Sequence, residues 1–254
     1  MELNYKSFGK GEPVIILHGL FGMLDNWQTV AKKLATQNKV FILDLRNHGK
    51  SPHSDEFDYS IMADDVRDFM EQKGIGEAEI IGHSMGGKVA MHMALAYASR
   101  VRKLMIVDIA PKFYKGDHQS IFDALLTLDL SSIQSRKEAN AFLSKRIPRL
   151  STRQFLLKNI YLDSTTKKYK WKMNLPVLHA KYRSILEHNF PEEPYLGETL
   201  FVKGEKSDYL NFAELESYRQ FFPNARLLEI AHAGHWVHAE QTLAFVELAQ
   251  TFLS

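Results

Sequence analysis

The stretch that most constrains the fold is residues 79–90, where an apolar run meets a run of small residues. The residues before Gly82 favour a buried strand, and those after Ser84 favour a helix that packs closely on a sheet. A Gly-x-Ser-x-Gly pattern at such a junction is typical of a nucleophile elbow, whose sharp turn presents the serine hydroxyl at the carboxyl end of the sheet. The flanking glycines leave room for a strained backbone. A Gly-Ser-Gly turn without chemistry matches the same short pattern, so the rest of the chain must distinguish the two.

Apolar runs of strand character recur along the chain and alternate with amphipathic helical patterns. The predicted strands are an edge strand at 3–9 and buried strands at 13–17, 39–44, 77–83, 101–108, 198–204 and 225–230. The predicted helices are 25–35 with Asp25 as N-cap, 60–73, 85–98, 212–221 and 242–253. This alternation implies right-handed crossovers and predicts an α/β fold with a mostly parallel central sheet flanked by helices.

The alternation breaks between residues 112 and 195. This stretch carries helical patterns but no convincing buried strand, and it is rich in charged and aromatic residues. The predicted helices are 120–128, 136–145, 152–159 and 176–186. We expect a helical cap at 112–195, inserted into a core that is formed by residues 1–111 and 196–254.

Composition excludes several classes of function. The chain has 254 residues and a net charge of +2, so no strong field would attract nucleic acid or an anionic membrane. It has no cysteine, which excludes disulfides, thiolate metal sites and cysteine nucleophiles and suits a reducing cytoplasm. No signal pattern opens the sequence, and no apolar run approaches the ~20 residues of a membrane span. We expect a cytoplasmic monomer or homodimer.

A serine nucleophile needs a base, and a histidine suits this role because its unperturbed pKa is about 6.5. His235 is the leading candidate, since it follows the last predicted strand in a Gly-His turn that can reach the sheet edge near Ser84. His232 and His238 lie in the same loop but lack the preceding glycine.

The base in turn needs a carboxylate that fixes its tautomer, and two aspartates end predicted strands. Asp208 follows the strand after the insertion, and Asp108 ends the strand before it. Either aspartate could instead stabilise the next turn. The loop at residues 18–22, His-Gly-Leu-Phe-Gly, could leave backbone N–H groups free for an oxyanion, or it could be a simple glycine-rich connection.

Five stretches together carry a resemblance to a known family. They are His18-Gly19-Leu20-Phe21-Gly22, Asp44-x-Arg46-Asn47-His48-Gly49-x-Ser51-Pro52, Gly82-His83-Ser84-Met85-Gly86-Gly87-Lys88, Asp108-Ile109-Ala110-Pro111 and Gly234-His235-Trp236-Val237-His238-Ala239-Glu240. With them the chain resembles the α/β-hydrolase superfamily, and more narrowly the small bacterial esterases of the YbfF type. The resemblance spans nearly the whole chain and is weakest in the expected cap.

The resemblance implies a carboxylesterase or thioesterase that uses no cofactor and no metal. Ser84 would attack an acyl carbonyl, and His235 would carry the proton. Members of this group place the acid at the Asp-Ile-Ala-Pro position, which favours Asp108 over Asp208 and leaves both as candidates. The oxyanion would be bound by the backbone N–H groups of Met85 and Leu20, or of Phe21 if the loop is shifted by one residue.

The expected partner is a small-molecule acyl ester or thioester. The Lys and Arg content of residues 136–172 motivates the narrower hypothesis of a short acyl-CoA substrate. A serine at the elbow argues against the haloalkane dehalogenases and epoxide hydrolases of the same fold, which carry an aspartate there. A C–C bond hydrolase and a small-molecule receptor remain as alternatives.

Overall fold

The computed structural model describes residues 1–116, 118–187 and 189–254. Within these ranges the strands are β1 (Tyr5–Phe8), β2 (Glu12–Leu17), β3 (Asn38–Leu43), β4 (Ala78–His83), β5 (Val101–Val107), β6 (Ile160–Leu162), β7 (Tyr169–Trp171), β8 (Glu198–Gly204) and β9 (Ala225–Ile230). The helices are α1 (Gln28–Leu34), α2 (Tyr59–Gln72), α3 (Met85–Ala96), α4 (Gln119–Leu126), α5 (Arg136–Ser144), α6 (Leu150–Leu157), α7 (Leu175–Ala180), α8 (Tyr182–Leu186), α9 (Leu215–Tyr218), α10 (Val237–Glu240) and α11 (Thr242–Leu253).

Seven strands form one sheet in the order β1-β3-β2-β4-β5-β8-β9. The β1 strand is antiparallel to β3, and all other neighbours are parallel. The carboxyl ends of β4, β5 and β8 therefore lie side by side, which brings the loops that follow them to one edge. The predicted fold class is confirmed.

Helices cover both faces of the sheet, which is why its central strands are continuous apolar runs. Alternate residues point to opposite faces. Ile15 and Ile80 belong to the core that includes residues of α2 and α3, whereas Ile16 and Ile81 belong to the core with α1 and α11.

In the described part of the 112–195 segment there are five helices, as well as a short two-stranded antiparallel sheet of β6 and β7. The sequence indicated no convincing buried strand here, and these two strands, whose side chains are mostly exposed or half-buried, were not predicted. Each of the two strands has only three residues, so no periodicity marks them, and a turn stabilises the pair. In that turn, Asp163 Oδ1 accepts a hydrogen bond from Thr166 N at 2.7 Å. The helix predicted at 176–186 is divided into α7 and α8 at Lys181.

The N-cap prediction for Asp25 was also wrong. Residues Leu24–Trp27 form a short 3-10 helix, and α1 begins only at Gln28. The Asp25 carboxylate instead accepts hydrogen bonds from the side chains of Lys6 and Gln28. Of the helices in the described ranges, none has both the length and the apolarity to cross a bilayer.

Candidate active site

Ser84 lies at the turn between β4 and α3, with φ of 52° and ψ of −121°. Side chains rarely adopt this backbone region, and the neighbouring glycines allow it. A Cβ at Gly82 would lie 2.3 Å from the Gly86 carbonyl oxygen, and a Cβ at Gly86 would lie 2.5 Å from the Leu17 carbonyl oxygen. Both positions therefore need glycine. The turn is held by Ser84 N, which donates to the Val107 carbonyl at 3.0 Å.

His235 and Asp108 are in direct contact, with 2.7 Å between His235 Nδ1 and Asp108 Oδ2. Since a carboxylate can only accept, Nδ1 carries a proton in this contact and Nε2 is left as the basic nitrogen. Asp108 is fully buried, and its carboxylate also accepts hydrogen bonds from Gly204 N at 3.1 Å and from the Ser207 hydroxyl. These donors orient the carboxylate towards His235.

The rival residues do not share the contact with His235. Asp208 lies beside Ser207 in the chain and lines one of the two cavities at Ser84, but it is exposed. His232 is also exposed, and its backbone N donates to Glu205. His238 is buried and stacks on Trp27 with 3.9 Å between ring centroids, and burial lowers the pKa of His238 to about 3. Among the predicted acids and bases, Asp108 and His235 are thus the two that meet.

Two further residues hold the His235 loop, and the sequence analysis missed both. His83 Nε2 donates to the His235 carbonyl at 2.8 Å, and burial lowers the pKa of His83 well below its usual value, so its ring is neutral. Tyr209 stacks on the His235 ring with 4.1 Å between centroids. Their positions next to Ser84 and Asp208 in the chain are the only sequence signal for them.

The His-Gly loop is arranged by His18. Its Nε2 accepts from Leu45 N at 3.0 Å, so its Nδ1 carries the proton that is donated to the Gly19 carbonyl at 2.8 Å. Burial lowers the pKa of His18 to about 4, which keeps this neutral tautomer at pH 7. In a trans peptide the carbonyl and the following N–H point in opposite directions. The Leu20 N–H is therefore directed away from His18.

The other predicted oxyanion donors differ in their surroundings. Met85 is the first residue of α3, so its N–H has no acceptor within the helix. Phe21 has φ of 60°, its side chain is buried, and its carbonyl accepts from Asn159 Nδ2 at 2.7 Å. The Phe21 peptide thus holds the loop against the 112–195 segment.

Two cavities meet at Ser84, and both are lined by Leu20 and His118 as well. The first, called here the His235 cavity, has about 260 Å³ and is lined by His235, Trp236 and Phe155. The second, called here the Tyr59 cavity, has about 220 Å³. Its other lining residues include Tyr59, Met85, Ile109, Tyr114, Ile185 and Leu186.

Comparisons with known proteins agree with this architecture. The family described as "alpha/beta hydrolase fold" matches residues 12–242. The chain is 38% identical to the sn-1-specific diacylglycerol lipase ABHD11 of Danio rerio, over all of this chain and 83% of the relative. It is 35% identical to Esterase YbfF of Escherichia coli (strain K12), over 95% of this chain and 93% of that protein. A solved structure described as a marine microorganism esterase superposes with a TM-score of 0.96 at 39% identity, with 99% of each chain covered.

Proposed function

The chain belongs to the α/β-hydrolase fold family, and on that premise we propose that it cleaves carboxylic esters with Ser84 as nucleophile, His235 as base and Asp108 as acid. Its relatives are named esterases and lipases, which supports a hydrolase of that kind. The observation that carries the proposal is the 2.7 Å contact between His235 Nδ1 and buried Asp108, in the loops beside the strained Ser84 turn.

The proposed reaction has two halves. His235 Nε2 takes the proton of the Ser84 hydroxyl while the Ser84 oxygen attacks the acyl carbonyl. The Leu20 and Met85 N–H groups stabilise the oxyanion, and Asp108 stabilises the imidazolium. His235 then gives its proton to the leaving oxygen. In the second half, His235 takes a proton from a water molecule that attacks the acyl-enzyme. His235 then gives this proton to the Ser84 oxygen as the bond between that oxygen and the acyl carbon breaks, and the acid is released.

The position of His235 assigns the two cavities within this proposal. The leaving group must lie next to the imidazole that protonates it, so it would occupy the His235 cavity. The acyl chain points the other way from the carbonyl carbon and would occupy the Tyr59 cavity. His235 is not among the described residues that line this cavity. The 112–195 segment would act as the cap, because residues from it line both cavities.

A thioester would react by the same steps, with a thiolate as leaving group. Lys158 lines the His235 cavity, and this supports an acyl-CoA as one candidate substrate. The diacylglycerol lipase relative suggests glycerides as another. The cytoplasmic location and the monomeric or homodimeric state stay predictions from the sequence.

The test is labelling with a fluorophosphonate, followed by a panel of p-nitrophenyl esters, acyl-CoA thioesters and diacylglycerols. Ser84→Ala should abolish labelling and lower kcat for the best substrate by at least about four orders of magnitude. A wild-type protein that is neither labelled nor able to turn over any ester or thioester would refute the proposal and favour a receptor. Cleavage of a C–C bond substrate at a higher kcat/KM than any ester would favour the C–C bond hydrolase.

A further inference from the structure

Lys88 lies one helical turn after Ser84 on α3, and its side chain is buried with only 1% exposure. In the part of the chain that the structure describes, no carboxylate lies within salt-bridge distance of its amine. Burial lowers the pKa of Lys88 to about 7. A buried amine is unfavourable unless it is hydrogen-bonded, so its partners indicate its role.

Those partners are backbone carbonyls at the end of α8. Lys88 Nζ donates to the Leu186 carbonyl at 3.1 Å and to the Glu187 carbonyl at 2.5 Å. The Tyr59 hydroxyl donates to the Ile185 carbonyl at 2.6 Å. A helix leaves its last carbonyls without internal partners, and α8 has only five residues, so these contacts hold its end to α2 and α3.

The end of α8 forms one wall of the Tyr59 cavity, through Ile185 and Leu186. Lys88 Nζ also lies 5.6 Å from the Tyr59 ring centroid and 5.2 Å from that of Tyr114, both of which line the cavity. Lys88 itself is not among the described lining residues, so it acts on the cavity through its neighbours. The contact between His235 and Asp108 involves none of these groups.

We propose that Lys88 is a positioning residue that anchors the α8 wall of the Tyr59 cavity and thereby limits the length of the acyl chain delivered to Ser84. This rests on the ester hydrolysis proposed above. A cavity of about 220 Å³ has the volume of roughly seven water molecules, which suits an acyl chain of short to medium length. We expect longer chains to press against Ile185 and Leu186, which the anchor holds in place.

The test compares Lys88→Met with the wild type on p-nitrophenyl esters from acetate to decanoate. Methionine keeps much of the volume but cannot donate to the carbonyls, so the wall is loosened, while Tyr59 and the Tyr114 N–H still hold it. The ratio of kcat/KM for butyrate to that for decanoate should fall about tenfold, mainly through a lower KM for decanoate. Lys88→Arg, which keeps the donors, should restore part of the ratio. Tyr59→Phe removes a second anchor of the same wall and should shift the ratio in the same direction.

Lys103→Met is the matched control. Lys103 Nζ also donates to oxygens at the end of a helix, those of Phe252 and Ser254 in and after α11. Lys103 is not among the described residues that line either cavity, so its loss should leave the ratio unchanged.

An unchanged ratio in both Lys88→Met and Tyr59→Phe, or an equal loss on every ester, would overturn the inference while the wild type still hydrolyses esters. If Lys88→Met fails to fold, the ratio in Tyr59→Phe decides. A wild type without any esterase activity would instead refute the proposed function.

Discussion

Replacing Asp108 by asparagine tests the proposed acid most sharply, because the surrounding donors determine how the amide can turn. Gly204 N belongs to β8 and points at Asp108 Oδ1, so an asparagine would place its oxygen there. Its amide nitrogen would then face His235 Nδ1, which would have to accept. The proton would move to Nε2, the nitrogen that must take the Ser84 proton. A comparable change of tautomer lowers kcat about 10⁴-fold, and we expect a loss of that order.

The opposite orientation of the asparagine side chain would keep the His235 tautomer but would lower the stability of the protein. With the oxygen towards His235, the amide nitrogen would face Gly204 N, and two buried donors would oppose each other. Such an arrangement destabilises a protein by about 1–3 kcal/mol. Steady-state hydrolysis of p-nitrophenyl butyrate and thermal unfolding of Asp108→Asn separate the two orientations, since one lowers kcat and the other lowers Tm.

Asp208→Asn is the matched control for this experiment. Asp208 is exposed and lines the Tyr59 cavity, and among the described contacts the carboxylate partner of His235 is Asp108. Replacement of Asp208 should therefore change kcat for the short butyrate ester by no more than about twofold and leave Tm nearly unchanged. A loss of several orders of magnitude in Asp208→Asn, with an active Asp108→Asn, would refute the assignment of the acid.

Three further predictions concern the support of the site. Ser207→Ala removes a hydroxyl that donates to buried Asp108, so we expect a loss of about 1–2 kcal/mol in the free energy of unfolding, measured in urea, and a fall in kcat of about tenfold. Gly86→Ala would place a Cβ 2.5 Å from the Leu17 carbonyl oxygen and should destabilise the fold by about 3 kcal/mol. Gly76→Ala is the control and should not destabilise the fold in this way, because a Cβ there would meet no atom within 4 Å. Burial lowers the pKa of His238 to about 3 in the folded protein, whereas the pKa of an unfolded histidine is about 6.5. Between these two values the unfolded chain binds one more proton than the folded protein. The free energy of unfolding therefore falls as the pH falls below 6.5. His238→Phe should reduce this slope between pH 6 and 4 by up to about 1.4 kcal/mol per pH unit, and an unchanged slope would contradict the buried neutral state.

The parallel strands could be predicted because their sequence requirement is strong. A strand that is buried on both faces is a near-continuous apolar run, as at the carboxyl ends of β2 and β5 and at Ile80-Ile81 in β4. The β6 and β7 strands follow no such rule, because each has three residues and half-exposed or exposed side chains dominate them. Their pairing depends on the Asp163 turn, which a periodicity search does not detect.

The choice between the two aspartates could not be made from chain position. Asp108 and Asp208 follow β5 and β8, which are neighbours in the sheet, so both predictions place a carboxylate at the same edge. The difference arises from backbone direction and tertiary contacts. Asp108 has φ of 54°, and its carboxylate meets Gly204 N and the Ser207 hydroxyl, whereas Asp208 is one residue beyond that serine and exposed.

The α3 helix connects the chemistry to the shape of the site. Gly86 and Gly87 in its first turn lie close against the backbone of β2 and β4, and this leaves its other face to contact the 112–195 segment. Lys88 emerges on that face four residues after Ser84, which corresponds to about 6 Å along the helix axis. The contacts of Lys88 thus link the α8 wall to the helix that begins directly after the nucleophile. Substitutions at Ile185 or Leu186 should therefore alter the acyl chain that fits, while the Ser84 turn and the contact between His235 and Asp108 keep their geometry.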